Sequence, residues 1–299
     1  MRRVEKCLVL IAFLLIPACV VRAEPVMLAY KFVPGSIDKY KMVMSMDMNL
    51  VGAPQGREMP PMNMGMSMVV TEKVLGVLPD GSAKIRVSYS GFKMTGAAAQ
   101  KAKGKLPQTP TVPTVVVTRT TDGRIIKLEG LHKLPIASSK YMDMGPFMKM
   151  MGNEGVLPVG PVEVGESWTR QVPLPFGNSS ASVTCTLQGT EARASNRNAA
   201  RIQQAIDGRM DLGEMLKAMV GAMPFKAPDG SVVTGITGHI DLMGSMDYLF
   251  SPAIGKMLSS KGFADVSLSM NLPEAAQKMG GPPSVSMLVT MKFDFTKLG

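Results

Sequence analysis

Methionine stands at 42, 44, 46 and 48 in KMVMSMDMNL, and again at 62, 64, 66 and 68 in MNMGMSMVV. A thioether can do two kinds of work. Its sulfur is a soft donor that suits Cu(I), and its unbranched, polarisable chain adapts to apolar partners of varied shape. A spacing of two puts all four side chains of a stretch on one face of a β-strand. Neighbours on that face lie about 6.5–7 Å apart along a strand and about 5 Å apart across a hairpin, so sulfurs from two strands could converge on one ion. Three features argue against a metal seat: the length of the stripe, the further methionines along 142–151 and 243–291, and the lack of His or Cys in either stretch. We therefore read Met42, Met44, Met46, Met48, Met62, Met64, Met66 and Met68 as an apolar wall. That wall either fills a core or receives an acyl chain or similar lipid-like ligand. Cu(I) binding through the same residues, and a structural envelope role with no ligand, are the alternatives.

Other chemistry has little footing. Of the two histidines, His132 lies in EGLHKLP and His239 in TGHIDL, neither in an HExxH pattern. No GxSxG elbow, GxxxxGK loop or CxxC pair occurs. Asp241 and Asp247 are evenly spaced on one stretch and read as solvent-facing strand residues, not as a carboxylate pair. Cys185 alternates with Val183 and Leu187, the pattern of a buried small apolar residue. These absences predict a non-enzymatic protein with no cofactor. The net charge of +10 comes from scattered residues, with a loose cluster only at Lys101, Lys103 and Lys105. Without a basic stripe interleaved with aromatics, nucleic acid is not an expected partner; a lipid ligand and an anionic membrane surface are.

The first residues, MRRVEKCLVLIAFLLIPACVVRAEP, have the layout of an export signal. Arg2, Arg3 and Lys6 precede an apolar run from Leu8 to Ile16, and Val21-Arg22-Ala23 supplies a small-residue cleavage site. The run is broken by Pro17 and is shorter than the roughly 20 residues of a spanning helix. Residues 1–23 are thus expected to be removed, with the product exported to the periplasm or beyond. Ile16-Pro17-Ala18-Cys19 offers an alternative, acylation of Cys19 and a lipid-anchored protein. With Cys7 and Cys19 in this segment, Cys185 has no partner for an intramolecular disulfide, so a core must hold the fold.

The elements that position the methionines read as strands. Residues 24–299 form one β-rich domain, with tight turns at Asp80-Gly81 and Asp122-Gly123 and a third such dipeptide at Asp229-Gly230. The alternation in KIRVSYSGFKM slips at Gly91, which predicts a bulge. GAAAQKAKGKLPQTPTVPT (96–114) reads as a flexible loop. DLGEMLKAMVGAM (211–223) has the i, i+3, i+4 spacing of an amphipathic helix, with Met215, Met219 and Met223 on its apolar face. The expected fold is mainly β: a curved antiparallel sheet or half-open β-barrel with one or two inserted helices. Aromatic content of 5% is too low for the two girdles of a membrane barrel.

The order LAYKFVPGSIDKYKMVMSMDMNL, VLPDGSAKIRVSYSGFKM, VTRTTDGRIIKLEG, LPVGPVEVGESWTRQ and GHIDLMGSMDYLFSPAIGKMLSSKG resembles a family of exported bacterial proteins of unassigned function. In that family, methionine- and threonine-rich strands precede a DGSA hairpin, a Gly-Glu/Asp-Ser-Trp turn and a late Gly-Lys hairpin. The strand order is more distantly similar to lipoprotein carriers of the LolA/LolB type. That likeness implies a curved antiparallel sheet closed by helices over an acyl-binding cavity, with the 211–223 helix (Met215, Met219 and Met223) and the 140–155 segment as its lid. It carries over no carrier-specific residue pattern.

Overall fold

A computed structural model describes residues 24–51, 62–96, 114–130, 157–174, 179–192, 198–213, 236–274, 277 and 282–299. Among these residues, eleven strands form one antiparallel sheet. They are β1 (Ile37–Val51), β2 (Met62–Val77), β3 (Ala83–Gly96), β4 (Val115–Arg119), β5 (Ile125–Glu129), β6 (Ser167–Pro173), β7 (Ser180–Glu191), β8 (Ala199–Asp211), β9 (Thr237–Ser251), β10 (Lys256–Asn271) and β11 (Ser284–Leu298). Their order is β5-β4-β3-β2-β1-β11-β10-β9-β8-β7-β6. The chain therefore starts in the middle, meanders to one edge, restarts at the other edge and meanders back to meet its own beginning.

Turn chemistry builds the hairpins locally. Gly81 and Gly123 adopt φ of 82° and 96° in the two Asp-Gly turns, a region that glycine enters without steric cost. Asp80 accepts from the amide and hydroxyl of Ser82 at 3.0 and 2.6 Å, locking the first of them. Gly91, with φ 62°, sits where the β2–β3 register slips between Ser67 and Val69, so the expected bulge is present.

Alternation gives the sheet two unlike faces. One row of partners runs Met42–Phe295–Ser260–Tyr248–Ile202–Leu187 across β1, β11, β10, β9, β8 and β7; on the other side of β1, Met42 faces Met68. The residues between them, such as Ser45, Asp47, Lys261, Asp265, Asp247 and Thr186, belong to the opposite, polar face. An eleven-strand sheet laid flat would separate its edges by about 48 Å at roughly 4.8 Å per strand. Yet Arg170 on edge strand β6 lies 3.2 Å from Asp122 in the β4–β5 turn, so the sheet curls until its edges nearly meet. The two edges are not paired with each other, and the barrel stays open.

One end of this curl is packed shut. Ile85, Val87, Val115 and Val117 form one buried cluster with Tyr40 and Val70; Leu187, Ile202, Tyr248, Phe250 and Leu28 belong to another. Phe295 packs against both and stacks on Tyr40 at 4.7 Å. The N-terminal residues 24–35 cross this end as a plug. Val26 bridges Val162, Tyr30 N–H donates to Thr121, Lys31 N–H to Gly255 and Gly35 N–H to Val74. Gly255 is required there: its φ is 60°, and a Cβ would fall 2.3 Å from the Lys31 nitrogen. Two ion clusters tie the same end. Asp38 is held by Lys256 at 2.7 Å and Lys297 at 2.9 Å, and Arg119 clasps Glu72 through two hydrogen bonds of 2.8 and 3.2 Å beneath Tyr30.

The expected helical insertion at 211–223 lies almost wholly outside the described residues: Asp211 is the last residue of β8, and Leu212 and Gly213 after it are helical. β8 reaches this point with Met210 on the apolar face opposite Ile240, where it is 8% exposed. Residues 140–155 and the Asp229-Gly230 turn lie outside the described residues, as does nearly all of 96–114. Among the described residues, no helix is long and apolar enough to cross a membrane.

Candidate functional site

The two methionine stretches are cross-strand partners. Met42 faces Met68, Met44 faces Met66, Met46 faces Met64, and Met48 faces Met62. They form a ladder on the apolar face, and their backbones belong to the centre of the sheet, where β1 is paired on both sides. The structure thus brings together all eight residues that sequence spacing picked out.

The two ends of this ladder differ in burial. Met68 is 8% exposed and belongs to the packed cluster, and Met62 is 40% exposed at the far end. The six between them are half-buried. On β11, Phe295, Phe293, Met291, Val289 and Met287 face Met42, Met44, Met46, Met48 and Leu50 in register. Beyond β11 the face continues through Ala264, Val266 and Leu268 on β10, then Leu242 and Ile240 on β9. The result is a broad apolar floor, closed at one end and partly uncovered at the other among the described residues. On the β3 side, among the described residues, pairing to β4 stops at Val87 while β3 runs on to Gly96.

Sequence spacing missed Met94, Met287 and Met291. The signal was present, because Val285, Met287, Val289, Met291, Phe293 and Phe295 alternate as cleanly as the β1 stretch. Only the pairing of the last strand with the first was hidden. The lid residues Met215, Met219 and Met223, and Cys19, lie outside the described residues.

Polar chemistry near this floor is sparse. Among the described residues, no three His, Cys, Asp or Glu side chains group as a metal seat. Asp241 and Asp247 are not a couple: each has its own arginine, Arg209 and Arg201 respectively, at 3.6 Å on the polar face. His239 lies 3.2 Å from Asp241. Cys185 is 1% exposed, and burial pushes its thiol up to about 12 against a smaller opposing pull from Arg170. A thiol in that state is not a nucleophile at neutral pH. An open hollow of about 680 Å³ lies away from the methionines, lined by Arg201, Asp247, Lys261, Lys297 and neighbours.

No protein-family model matches the chain, and no curated protein matches it. Among solved structures, it is similar to one titled "Lipid-protein interactions in lipovitellin", with a TM-score of 0.45 and 11% identity over 90% of this chain. The chain spans 25% of the length of that protein. A second similarity is to DynF from the dynemicin biosynthesis pathway of Micromonospora chersina, with a TM-score of 0.22 and 10% identity, covering 92% of this chain and 87% of the other. Values this low carry no argument about activity, and the resemblance drawn from the turn motifs has no matching family model beside it.

Proposed function

We propose that the protein is a non-enzymatic binding or carrier module of the cell envelope, holding a lipid-like molecule against the methionine-lined end of its apolar sheet face. The observation that carries this reading is where the methionines sit. Packed positions of the same strands hold Tyr40, Val70, Val74, Ile85 and Val87. Methionine is also used in the core, at Met68, Met210 and Met257, but the ladder continues with methionines past Met68, where burial becomes incomplete. A flexible, polarisable residue on a floor that is partly uncovered among the described residues suits a guest of variable shape. An acyl chain laid there gains about 25 cal/mol per Å² of apolar surface removed from water. With few polar groups to orient it, the site discriminates weakly among chains. The export signal read in residues 1–23 belongs to the same proposal.

Native mass spectrometry of the protein, purified without detergent and incubated with fatty-acid-loaded vesicles, tests it. The expected spectrum shows a non-covalent adduct in the lipid mass range. Met46→Lys places a charge in the middle of the floor and removes that adduct. A bare chain mass for the unaltered protein, or an adduct that survives Met46→Lys, overturns the reading.

A further inference from the structure

The methionines of this floor stand in adjacent cross-strand rows. Met66 has Met44 on one side and Met94 on the other. Met46 has Met64 on one side and Met291 on the other. Two adjacent rows of three thioethers result, Met94–Met66–Met44 and Met64–Met46–Met291, and all six side chains are half-buried. We propose that this block is a binding site for a soft monovalent cation, Cu(I), held by three of these sulfurs.

The geometry suits such an ion. Metal–sulfur bonds of about 2.3 Å in a trigonal arrangement want sulfurs about 4 Å apart. Cross-strand Cβ atoms about 4.5–5.5 Å apart carry flexible side chains that close this gap without moving the backbone. The donor set gives selectivity. The charged residues at this level, Asp47 and Asp265, lie on the opposite face of the sheet, so a hard cation finds no oxygen ligands here. Thioethers favour Cu(I) over such cations. Half-burial leaves these side chains partly accessible, and Phe293 and Ala264 continue the two rows beside them. This site does not depend on whether the rest of the floor holds an acyl chain.

The test reads the metal directly. The protein labelled with ¹³C at its methionine methyls is titrated with Ag(I), a redox-inert stand-in for Cu(I), and its Cu(I) affinity is measured anaerobically against bicinchoninate. The expected result is one ion per chain, with methyl shifts at Met44, Met46, Met64 and Met66. Met27 and Met243, 54% and 58% exposed, stay unshifted. The combined variant Met44→Leu, Met46→Leu, Met64→Leu and Met66→Leu preserves apolar volume. It is expected to lose at least about 100-fold in Cu(I) affinity, more than outer-shell changes typically cost. Its lipid adduct is read separately by native mass spectrometry, so failure of the metal site and failure of the lipid reading separate. Met210→Leu, outside the block, leaves affinity unchanged. Shifts shared equally with Met27 and Met243, or wild-type affinity in the fourfold variant, overturn the proposal; if that variant does not fold, the titration of the unaltered protein decides.

Discussion

The same strands run through both ends of the curled sheet, and the two ends are built from different residues. At the closed end the inner face presents β-branched and aromatic side chains, capped by residues 24–35 and tied by buried ion pairs. At the other end it presents methionines, half-buried and without such ties among the described residues. Stiff, shape-specific side chains pack one structure well; flexible ones tolerate many partners. One end is thus suited to holding the fold and the other to meeting something else.

The sharpest way to break this contrast is Glu72→Leu. It strands Arg119 beneath Tyr30 without its carboxylate partner, and breaking such a pair is expected to cost about 3–5 kcal/mol in urea unfolding. A loss under about 1 kcal/mol would mean that the closed end is not the stabilising one. Next come paired truncations on the two ends. Ile85→Ala, at 1% exposure, should cost about 2–5 kcal/mol with its cavity, whereas Met46→Ala should cost about 1 kcal/mol, since a half-buried side chain gives up less surface. Equal losses would erase the distinction. Acid gives the gentlest probe. Burial would raise the carboxyl of Asp38, but hydrogen bonds from Lys256 and Lys297 outweigh it and hold the group below its ordinary value. Asp122 is likewise lowered against its burial by Thr120, Arg124 and Arg170. A depressed native pKa means that this stabilisation is complete above the unfolded value of about 3.9 and is lost as pH falls through the native one. Hydrogen exchange at low pH should therefore open residues 24–35 and the β6 seam before the β1–β2 ladder. If the ladder opens first, the plug is not what closes that end.

Much of this was legible in the residues. Period-2 alternation fixed which side chains share a face, and Asp-Gly dipeptides marked the β2–β3 and β4–β5 turns, because both signals are local. The burial of Cys185 followed from its neighbours in the same way. Long-range facts were not legible. Nothing in VSMLVTMKFDF says that it pairs with KMVMSMDMNL, so Met291 and Phe293 could not be joined to the site. Nor does the sequence show that Glu72 and Arg119, 47 residues apart, meet inside the sheet. The helical pattern read from 211 meets the end of β8 at Asp211 and turns helical at Leu212 and Gly213, where the described residues stop.

The placing of β1 in the middle of the sheet has a temporal consequence. Every other neighbouring pair in the order is adjacent in sequence, but β1 meets β11 across almost the whole chain. At translation rates of about 5–20 residues per second, the methionine-rich first strand waits roughly 10–50 s for its second partner to exist. During that interval its unpaired edge is an invitation to foreign strands, so whatever carries the nascent chain must shield its beginning until its end arrives.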